Sequence, residues 1–467
     1  MQPDFKNQRM RQKVTAVFDI GRTNKKFFLF DSDLKEVYRE YIQFDEIVDE
    51  DDYPSDDLQA IENWTKEVFK RMMKDPKYLI ESLNFSCYGA TLVHIDENGK
   101  VLTPLYNYLK PLEDDLTASF FNKYGPEEEI TRITGSLNLG MLNTSMHLYW
   151  LKYTKPTIFK KIRYSLHLPQ YLSYIFSGIP VGEYTSIGCH TMLWNYEKKE
   201  YHKWVYQENI DKKLPPIVAT NTTMSIEYNS TPIKIGVGIH DSSSALLPYV
   251  QSIRKPFLLL STGTWSVSIN PFTQGLLTAQ DIKEECLFNM RINGNPVKAS
   301  RLLLGSEYKY QVTKLSEHYG VPYEQHKTVK FNSKTFHNLS ENFEYCFCWQ
   351  GLPDAHMPKK TSLAHATYEE AYHQLMIELV KLQVKSIESA MSENSSIKKL
   401  YVDGGFSDNE LFIKLLSHYL RGMKLRSASS SLGSALGAAI VIADSKLNSK
   451  FLKKNYSLKK HVPFILT

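Results

Sequence analysis

Long apolar runs are missing from this chain. The longest clean one covers residues 436–443, whereas a bilayer-spanning helix needs about 18–20 residues. Residues 1–13 are polar and lack the apolar stretch of a secretory leader. Cysteine is scarce: Cys87, Cys189, Cys286, Cys346 and Cys348 are odd in number and scattered. That argues against a disulfide framework and fits a reducing compartment. Cys346 and Cys348 stand too close together for a zinc knuckle, and no second Cys/His pair accompanies them. All five read as small buried hydrophobes. A strong excess of one charge is also lacking. The 56 basic and 51 acidic residues leave a formal net charge of +5. No dense Lys/Arg block alternates with aromatics, so a nucleic-acid groove is not expected. No G-x-x-x-x-G-K-[ST] segment is present, so any nucleotide phosphates must be held without that cradle. These absences lead us to expect a cytoplasmic protein that partners neither membrane nor nucleic acid.

What is present is ordinary globular composition, 42% hydrophobic and 23% charged. The 467 residues suffice for two or three domains at about 100–200 residues each. The first ten or so residues read as a disordered lead-in. Residues 14–20 form an apolar, β-branched strand that stops at Gly21, and residues 27–30 follow as a second strand. Residues 45–57 are acidic and read as an exposed connection, with Ser55 capping the next helix and Asp56 and Asp57 in its first turn. That helix carries Leu58, Ile61, Trp64, Val68, Phe69 and Met72 at helical spacing. Strands are expected at 83–88 and 92–95, with Asn98 and Gly99 turning a hairpin into 101–102. Residues 125–215 are helix-rich. Strands are expected again at 233–237, 256–261 and 266–269, the last two flanking Thr262, Gly263 and Thr264. A strand–turn–strand unit with Gly and Thr in its turn thus occurs twice, a weak internal repeat. Near the end come a strand at 399–402, a turn at Asp403, Gly404 and Gly405, and a helix at 409–420. A final helix at 432–443 has small residues that permit close approach to a sheet or ligand.

Four features carry chemistry. Asp19 ends a buried strand and is followed by Gly21, Thr23, Asn24 and Lys26. Such a carboxylate can hold Mg²⁺ through water, while hydroxyl, amide and ammonium groups meet phosphate oxygens. An ordinary hairpin turn would look the same in isolation. His240 and Asp241 follow a Gly-flanked strand end and precede a run of small hydroxyl residues. Asp241 is placed to face a cleft, although helix capping is a common role for such an Asp. Thr262, Gly263 and Thr264 form a second turn whose backbone amides can nest an anion. Gly404, Gly405 and Asn409 form a Gly-opened turn suited to lie against a nucleotide.

Taken in order, these read D-x-G-x-T-x-x-K, G-x-x-H-D-x-x-x-A, S-x-G-T-W and D-G-G-x-x-x-N with a Gly/Ala-rich closing helix. The set resembles the FGGY carbohydrate kinases from about residue 14 to 444. Within that family, residues 167–178, the trio Glu183, Tyr184 and Thr185, and the His240–Asp241 pair are similar to members that act on L-rhamnulose. The resemblance implies an α/β, duplicated actin-like (ribonuclease H-like) ATPase fold with two domains flanking a deep cleft. A sugar-binding N-terminal domain would cover 13–245 and a nucleotide-binding C-terminal domain 246–450. It implies ATP and Mg²⁺ as cofactors. Asp19 would organise the metal. Gly21, Thr23, Asn24, Lys26, Thr262, Gly263 and Thr264 would hold phosphates, and Gly404, Gly405 and Asn409 would line the adenosine. Asp241 would be the general base, with His240, Asp241, Tyr88 and Gly89 at the sugar.

The expected reaction is phosphorylation of a primary hydroxyl of a ketose, L-rhamnulose first. L-fuculose, L-ribulose and D-xylulose are alternatives. A non-catalytic sensor of the same fold is a rival that the intact Asp19 and Asp241 argue against. A homodimer is left open. Three departures from the family pattern stand out: Arg22 where a small or hydroxyl residue is usual, residues 86–91 without the usual acid or Gln-Met-His, and Tyr106 to Lys110 in place of a W-x-D-x-R-like segment. All three concern how the sugar and phosphate sites are lined. Arg22 is expected either at a phosphate or in solvent.

Overall fold

The computed structural model describes residues 11–341, 343–352, 357–391, 396–428, 432–443, 447–448 and 450–464. The expected lead-in lies outside them. Two seven-stranded sheets dominate. In the first, strands Gln12–Ile20, Lys25–Asp31 and Glu36–Ile42 form an antiparallel meander, and Tyr78–Cys87 joins Gln12–Ile20 in parallel on the other side. In the second, Leu258–Thr262, Ser266–Asn270 and Pro296–Leu302 repeat the meander, and Lys399–Gly404 joins Leu258–Thr262 in parallel. The registers end alike, Ile20 opposite Cys87 and Thr262 opposite Gly404. The recurring strand–turn–strand unit is therefore the visible part of a duplicated α/β fold.

The central strands are apolar on both faces because both faces are covered. Ala16, Phe18 and Ile20 pack with Leu58, Ile61, Val68 and Phe69 of helix Leu58–Met73. Val17, on the opposite face, packs with Leu246, Ala435, Leu436 and Ala438. In the second sheet Leu258 and Leu260 face an outer layer containing Leu375, Leu379, Leu411 and Leu415, whereas Leu259 and Ile269 join the same inner core as Val17. One core therefore lies between the two sheets. It is filled by helix Asp241–Ser252 and the closing helix Gly433–Val441. Residue 245, where a domain boundary was expected, falls inside the first of these helices.

The small residues of the closing helix serve a helix partner as well as a sheet. A methyl group on Gly437 would drive into the Ser244 carbonyl. The Ser244 hydroxyl donates to Ser434 O at 2.6 Å, and Asn84 Nδ2 donates to Ala438 O at 2.8 Å. The two halves also meet at strand Leu287–Met290. There the Phe288 amide donates to Gly135 O at 2.7 Å and the Ser243 hydroxyl to Met290 O at 2.8 Å.

Two local expectations change. The turn at Asn98 and Gly99 forms, with Gly99 at φ 79°, but it returns only as a single bridge from Ile95 to Val101. Strand Leu92–Ile95 pairs instead with Tyr164–His167. Of the cysteines, Cys87, Cys189 and Cys286 are buried, while Cys346 and Cys348 are half-buried. No helix among the described residues is long and apolar enough to cross a membrane.

The first half of the chain buries several histidines. Burial holds His94, His167 and His190 down to about 3 and His147 to about 4. A group whose folded pKa is depressed binds protons first in the unfolded chain, so stability falls as pH drops below about 6.5. Glu378, raised to about 7, and Asp19, raised to about 6, act in the opposite sense. With His202, also held down to about 4, the depressed histidines outnumber the two raised acids, and the chain should lose on the order of several kcal/mol per pH unit between pH 6 and 5. Denaturant midpoints measured at those pH values check this, and a flat or rising midpoint contradicts it.

Candidate active site

The turn between Gln12–Ile20 and Lys25–Asp31 is closed by Gly21, whose N–H donates to Asn24 O at 3.0 Å. A Cβ on Gly21 would sit 3.0 Å from the same oxygen. Thr23 and Asn24 are exposed at the tip, and the Asn24 amide oxygen accepts from Gln43 Nε2 at 2.7 Å. Asp19 stands in register with Lys26 on one side and Ser86 on the other. Burial raises its pKa to about 6. The charge of Lys26 opposes that shift, and the charge of Asp241 adds to it. Asp19 and the strand end that leads into Asp241 flank Ser86 and Cys87 from opposite sides, near enough for the two carboxylates to interact.

Arg22 goes neither to solvent nor to an open phosphate position. Its guanidinium is paired with Asp56 and Glu46 and lies 6.0 Å over the Tyr108 ring. Lys25 is fully buried and donates to Asp56 at 3.0 Å and to Arg22 O at 2.9 Å. The Tyr88 hydroxyl donates to Asp56 at 2.6 Å. This corrects the expectation for residues 45–57. Asp56 is a buried hub and Asp49 is buried against Lys110 at 2.6 Å. Ser55 is buried on Leu105 O, and the helix cap is Asp57, which accepts from Ala60 N at 2.9 Å. A run of acids reads as solvated only while its cations are out of view, and here Lys25 and Lys110 come from elsewhere in the chain.

The two-residue strand Ile239–His240 pairs with Ser86 and Cys87, which sets Asp241 at the first position of helix Asp241–Ser252. Its carboxylate is one-third exposed, 3.3 Å from His240 Nε2, and accepts from the Ser242 hydroxyl at 3.2 Å. His240 Nε2 also lies 3.1 Å from Cys189 Sγ, while His240 Nδ1 is buried without a partner. A proton on Nε2 leaves only the Nδ1 lone pair unpaired, so this tautomer suits the pocket, with Cys189 Sγ as the hydrogen-bond partner of Nε2 and Asp241 beside it. The His240 amide donates to Thr185 Oγ1 at 3.0 Å, and the Thr185 hydroxyl donates to buried Glu183 at 2.8 Å. The stretch 167–178 braces the same strand end through Ser173 on Gly236 O and Gln170 on Val237 O. Gly89 has a packing reason of its own: a Cβ there would lie 2.8 Å from His240 Nε2. Cys189 was not expected here, and no motif marks it.

In the second half, Gly263 and Thr264 are exposed, and Gly263 N–H donates to Trp265 O at 2.9 Å. Thr262 is different. Its hydroxyl donates to Asp403 O at 2.7 Å and accepts from Phe406 N at 3.0 Å. It is committed to locking two strand ends together and is not free for a phosphate. Gly404 has φ 87°, and a side chain there would strike Thr262 O. Gly263, Gly405 and Asn409 line one cavity of about 550 Å³ with Tyr308, His326, Tyr372 and Phe406, and with Lys327 and Lys330. Asn409 caps helix Glu410–Tyr419 through Oδ1, and its Nδ2 donates to the Tyr372 hydroxyl at 3.3 Å. Phe406 lies within the Gly404–Asn409 turn, whereas Tyr308, His326 and Tyr372 of the aromatic wall form no motif in the sequence.

The model of the N-terminal domain of the FGGY family of carbohydrate kinases matches residues 14–243, and that of the FGGY C-terminal domain matches residues 254–343. The chain belongs to the FGGY family of carbohydrate kinases. A rhamnulokinase of Oceanobacillus iheyensis is 25% identical over 205 residues, 41% of this chain and 42% of that protein. One of Mannheimia succiniciproducens is 25% identical over 261 residues, 56% of this chain and 51% of that protein. The chain spans about half the length of these curated relatives. A carbohydrate kinase structure from Novosphingobium aromaticivorans matches with TM-score 0.83 at 20% identity, over 98% of this chain and 96% of that one. A ligand-bound xylulose kinase from Lactobacillus acidophilus matches with TM-score 0.76 at 15% identity, over 97% and 94%. At these identities the structures establish the shared fold.

In this FGGY kinase no group of three or more His, Cys, Asp or Glu among the described residues forms a metal cage. Asp19 is instead a single buried carboxylate opposed by a like charge. That donor set fits Mg²⁺, which keeps most of its waters and takes one or two carboxylates beside nucleotide phosphates. The Asp56 hub generates a prediction. Asp56→Ala strands the buried ammonium of Lys25 and should destabilise the fold by about 3–5 kcal/mol. Chemical denaturation measures this, and a loss under about 1 kcal/mol, the worth of a surface pair, would contradict a buried hub.

Proposed function

We propose that this chain transfers a phosphoryl group from MgATP to a primary hydroxyl of a ketose. The observation that carries the reading is Asp241: a partly open carboxylate at the start of its helix, held by Ser242, 3.3 Å from His240 and near enough to Asp19 for their charges to interact. The hydroxyl proton passes to Asp241 as its oxygen attacks the γ-phosphorus and the bond to ADP breaks. Asp241 supplies the base, and the rest of the chain supplies position and charge. Asp19 would hold Mg²⁺, which neutralises phosphate charge when bound. The turns at Gly21–Lys26 and at Gly263 and Thr264 would meet the phosphates, with Thr262 bracing the second. The cavity of Tyr308, Tyr372, Gly405 and Asn409 would take the adenosine, and Tyr88 and Gly89 would border the sugar.

The sugar we favour is L-rhamnulose, phosphorylated at C1. Matched relatives bear the name rhamnulokinase. The lining near Asp241 also suits a methyl end: Tyr88 and Tyr108 pack edge-on at 6.2 Å, and the Tyr88 hydroxyl is already used by Asp56. An apolar wall of this kind discriminates against an added hydroxyl only by about 10²-fold, so related ketoses should be turned over more slowly. A panel of L-rhamnulose, L-fuculose, L-ribulose, D-xylulose and glycerol, ranked by kcat/KM, tests this. D-xylulose or glycerol at the top would overturn the sugar assignment, and no ADP formed with any sugar would overturn the kinase reading. Asp241→Asn should keep nucleotide binding and lose on the order of 10²–10⁴ in turnover; near-wild-type turnover would remove Asp241 from the chemistry.

A further inference from the structure

Resting on that reading, we propose that Arg301 is the cation that meets the phosphoryl group between the Gly263–Thr264 turn and Asp241. Arg301 lies near the end of strand Pro296–Leu302, opposite Val267 on the strand that leaves this turn. Its guanidinium carbon is 5.4 Å over the ring of Trp265, the next residue of the turn, and both line a cavity of about 610 Å³. Its Nε is buried with no partner. It forms no ion pair with any described residue, in contrast to Arg22, which is closed by Asp56 and Glu46. Glu285, the carboxylate whose charge acts on it, leaves the effect of burial uncompensated. A withdrawn cation in this state gains by meeting an anion, and a guanidinium forks naturally onto phosphoryl oxygens.

The direction of Arg301 comes from its neighbours in the first half of the chain. Its charge acts on Cys189 and His190. Cys189 Sγ is 3.1 Å from His240 Nε2, which is 3.3 Å from Asp241. The backbone here is strained, with His190 at φ 39° and Met192 at φ 60°, and the Asn143 amide holds the His190 carbonyl at 2.6 Å. Such strain persists only where surroundings impose it, as at sites that position reacting groups. Arg301 is paired with Val267, which packs against the core between the two sheets, so its side chain leaves the second-half hairpin on the face turned to the first half. In transfer, the hydroxyl proton goes to Asp241, the phosphorus–oxygen bond to ADP breaks as that to the sugar forms, and Arg301 only donates hydrogen bonds to the oxygens in between.

The test uses Arg301→Gln, Arg301→Lys and Arg301→Ala in the full chain. Calorimetry without sugar compares MgADP with the non-hydrolysable MgAMP-PNP. The wild type should prefer the triphosphate analogue, Arg301→Gln should lose that preference with MgADP affinity unchanged, and Arg301→Lys should keep part of it. With the best sugar of the panel, Arg301→Gln should lose on the order of 10²–10³ in turnover at unchanged sugar affinity. Added guanidinium ion should restore part of the turnover of Arg301→Ala. An unchanged triphosphate preference, or a turnover loss that follows lost sugar or MgADP affinity, would overturn the proposal and leave Arg301 as a support for Trp265. If the wild type phosphorylates no sugar, the kinase reading fails by itself, and the calorimetric comparison still decides whether Arg301 meets a γ-phosphate.

Discussion

The contact between Gly437 and the Ser244 carbonyl governs the centre of this molecule. Helix Asp241–Ser252 carries the candidate base at its first residue, and helix Gly433–Val441 lies against it through Ser434 and Gly437. The Gly437–Ser244 contact sets how near the closing helix stands to the helix that begins with Asp241. A methyl group at position 437 would separate them, because packed interiors yield little room. The Gly/Ala composition of the closing helix is thus a geometric requirement of the site as well as of the core.

Two kinds of buried acid result, and they are handled in opposite ways. Asp56 is surrounded by Arg22, Lys25 and Tyr88, so its charge is fully met inside the protein. Asp19 has the charge of Lys26 to offset its burial but also the like charge of Asp241. A carboxylate kept uncomfortable by burial and repulsion is one that a ligand cation relieves, whereas a satisfied one is a strut. The chain therefore separates the acid that holds its wall together from the acids available to a substrate complex.

How much could be read beforehand follows the same division. The strand end at Asp19, the turn at Gly21, the helix start at Asp241, the turn at Gly404 and the closing helix were legible as backbone features because each belongs to a short contiguous pattern with a local reason. Cys189 beside His240, and Lys25 and Arg22 on Asp56, were not, because each pairing spans 31 to 51 residues and no local signal fixes it. The opposite failure is Thr262, whose residue type suits a phosphate but whose hydroxyl is taken by Asp403 and Phe406. Helix Tyr368–Ala390 was missed for a different reason. Its residues 371–380 are all buried, Gln374 and Glu378 among them, so a polar stripe appears only in its last turns, at Lys381, Lys385 and Glu388. Glu378 is accommodated there by accepting from the amides of Cys346 and Phe347.

The shared inner core has a consequence for how the chain is made. Val17, Phe28 and Phe30 sit near the beginning of the chain, yet they pack against Ala435, Leu436 and Ala439. While a ribosome is still adding the intervening residues, one face of the first sheet has no cover. Paired strands with an open apolar face are the sort of intermediate that sticks to its own kind. The first half therefore cannot complete itself as it emerges. It must wait, with that face shielded by other means, until the closing helix has left the exit tunnel and can slide beneath it.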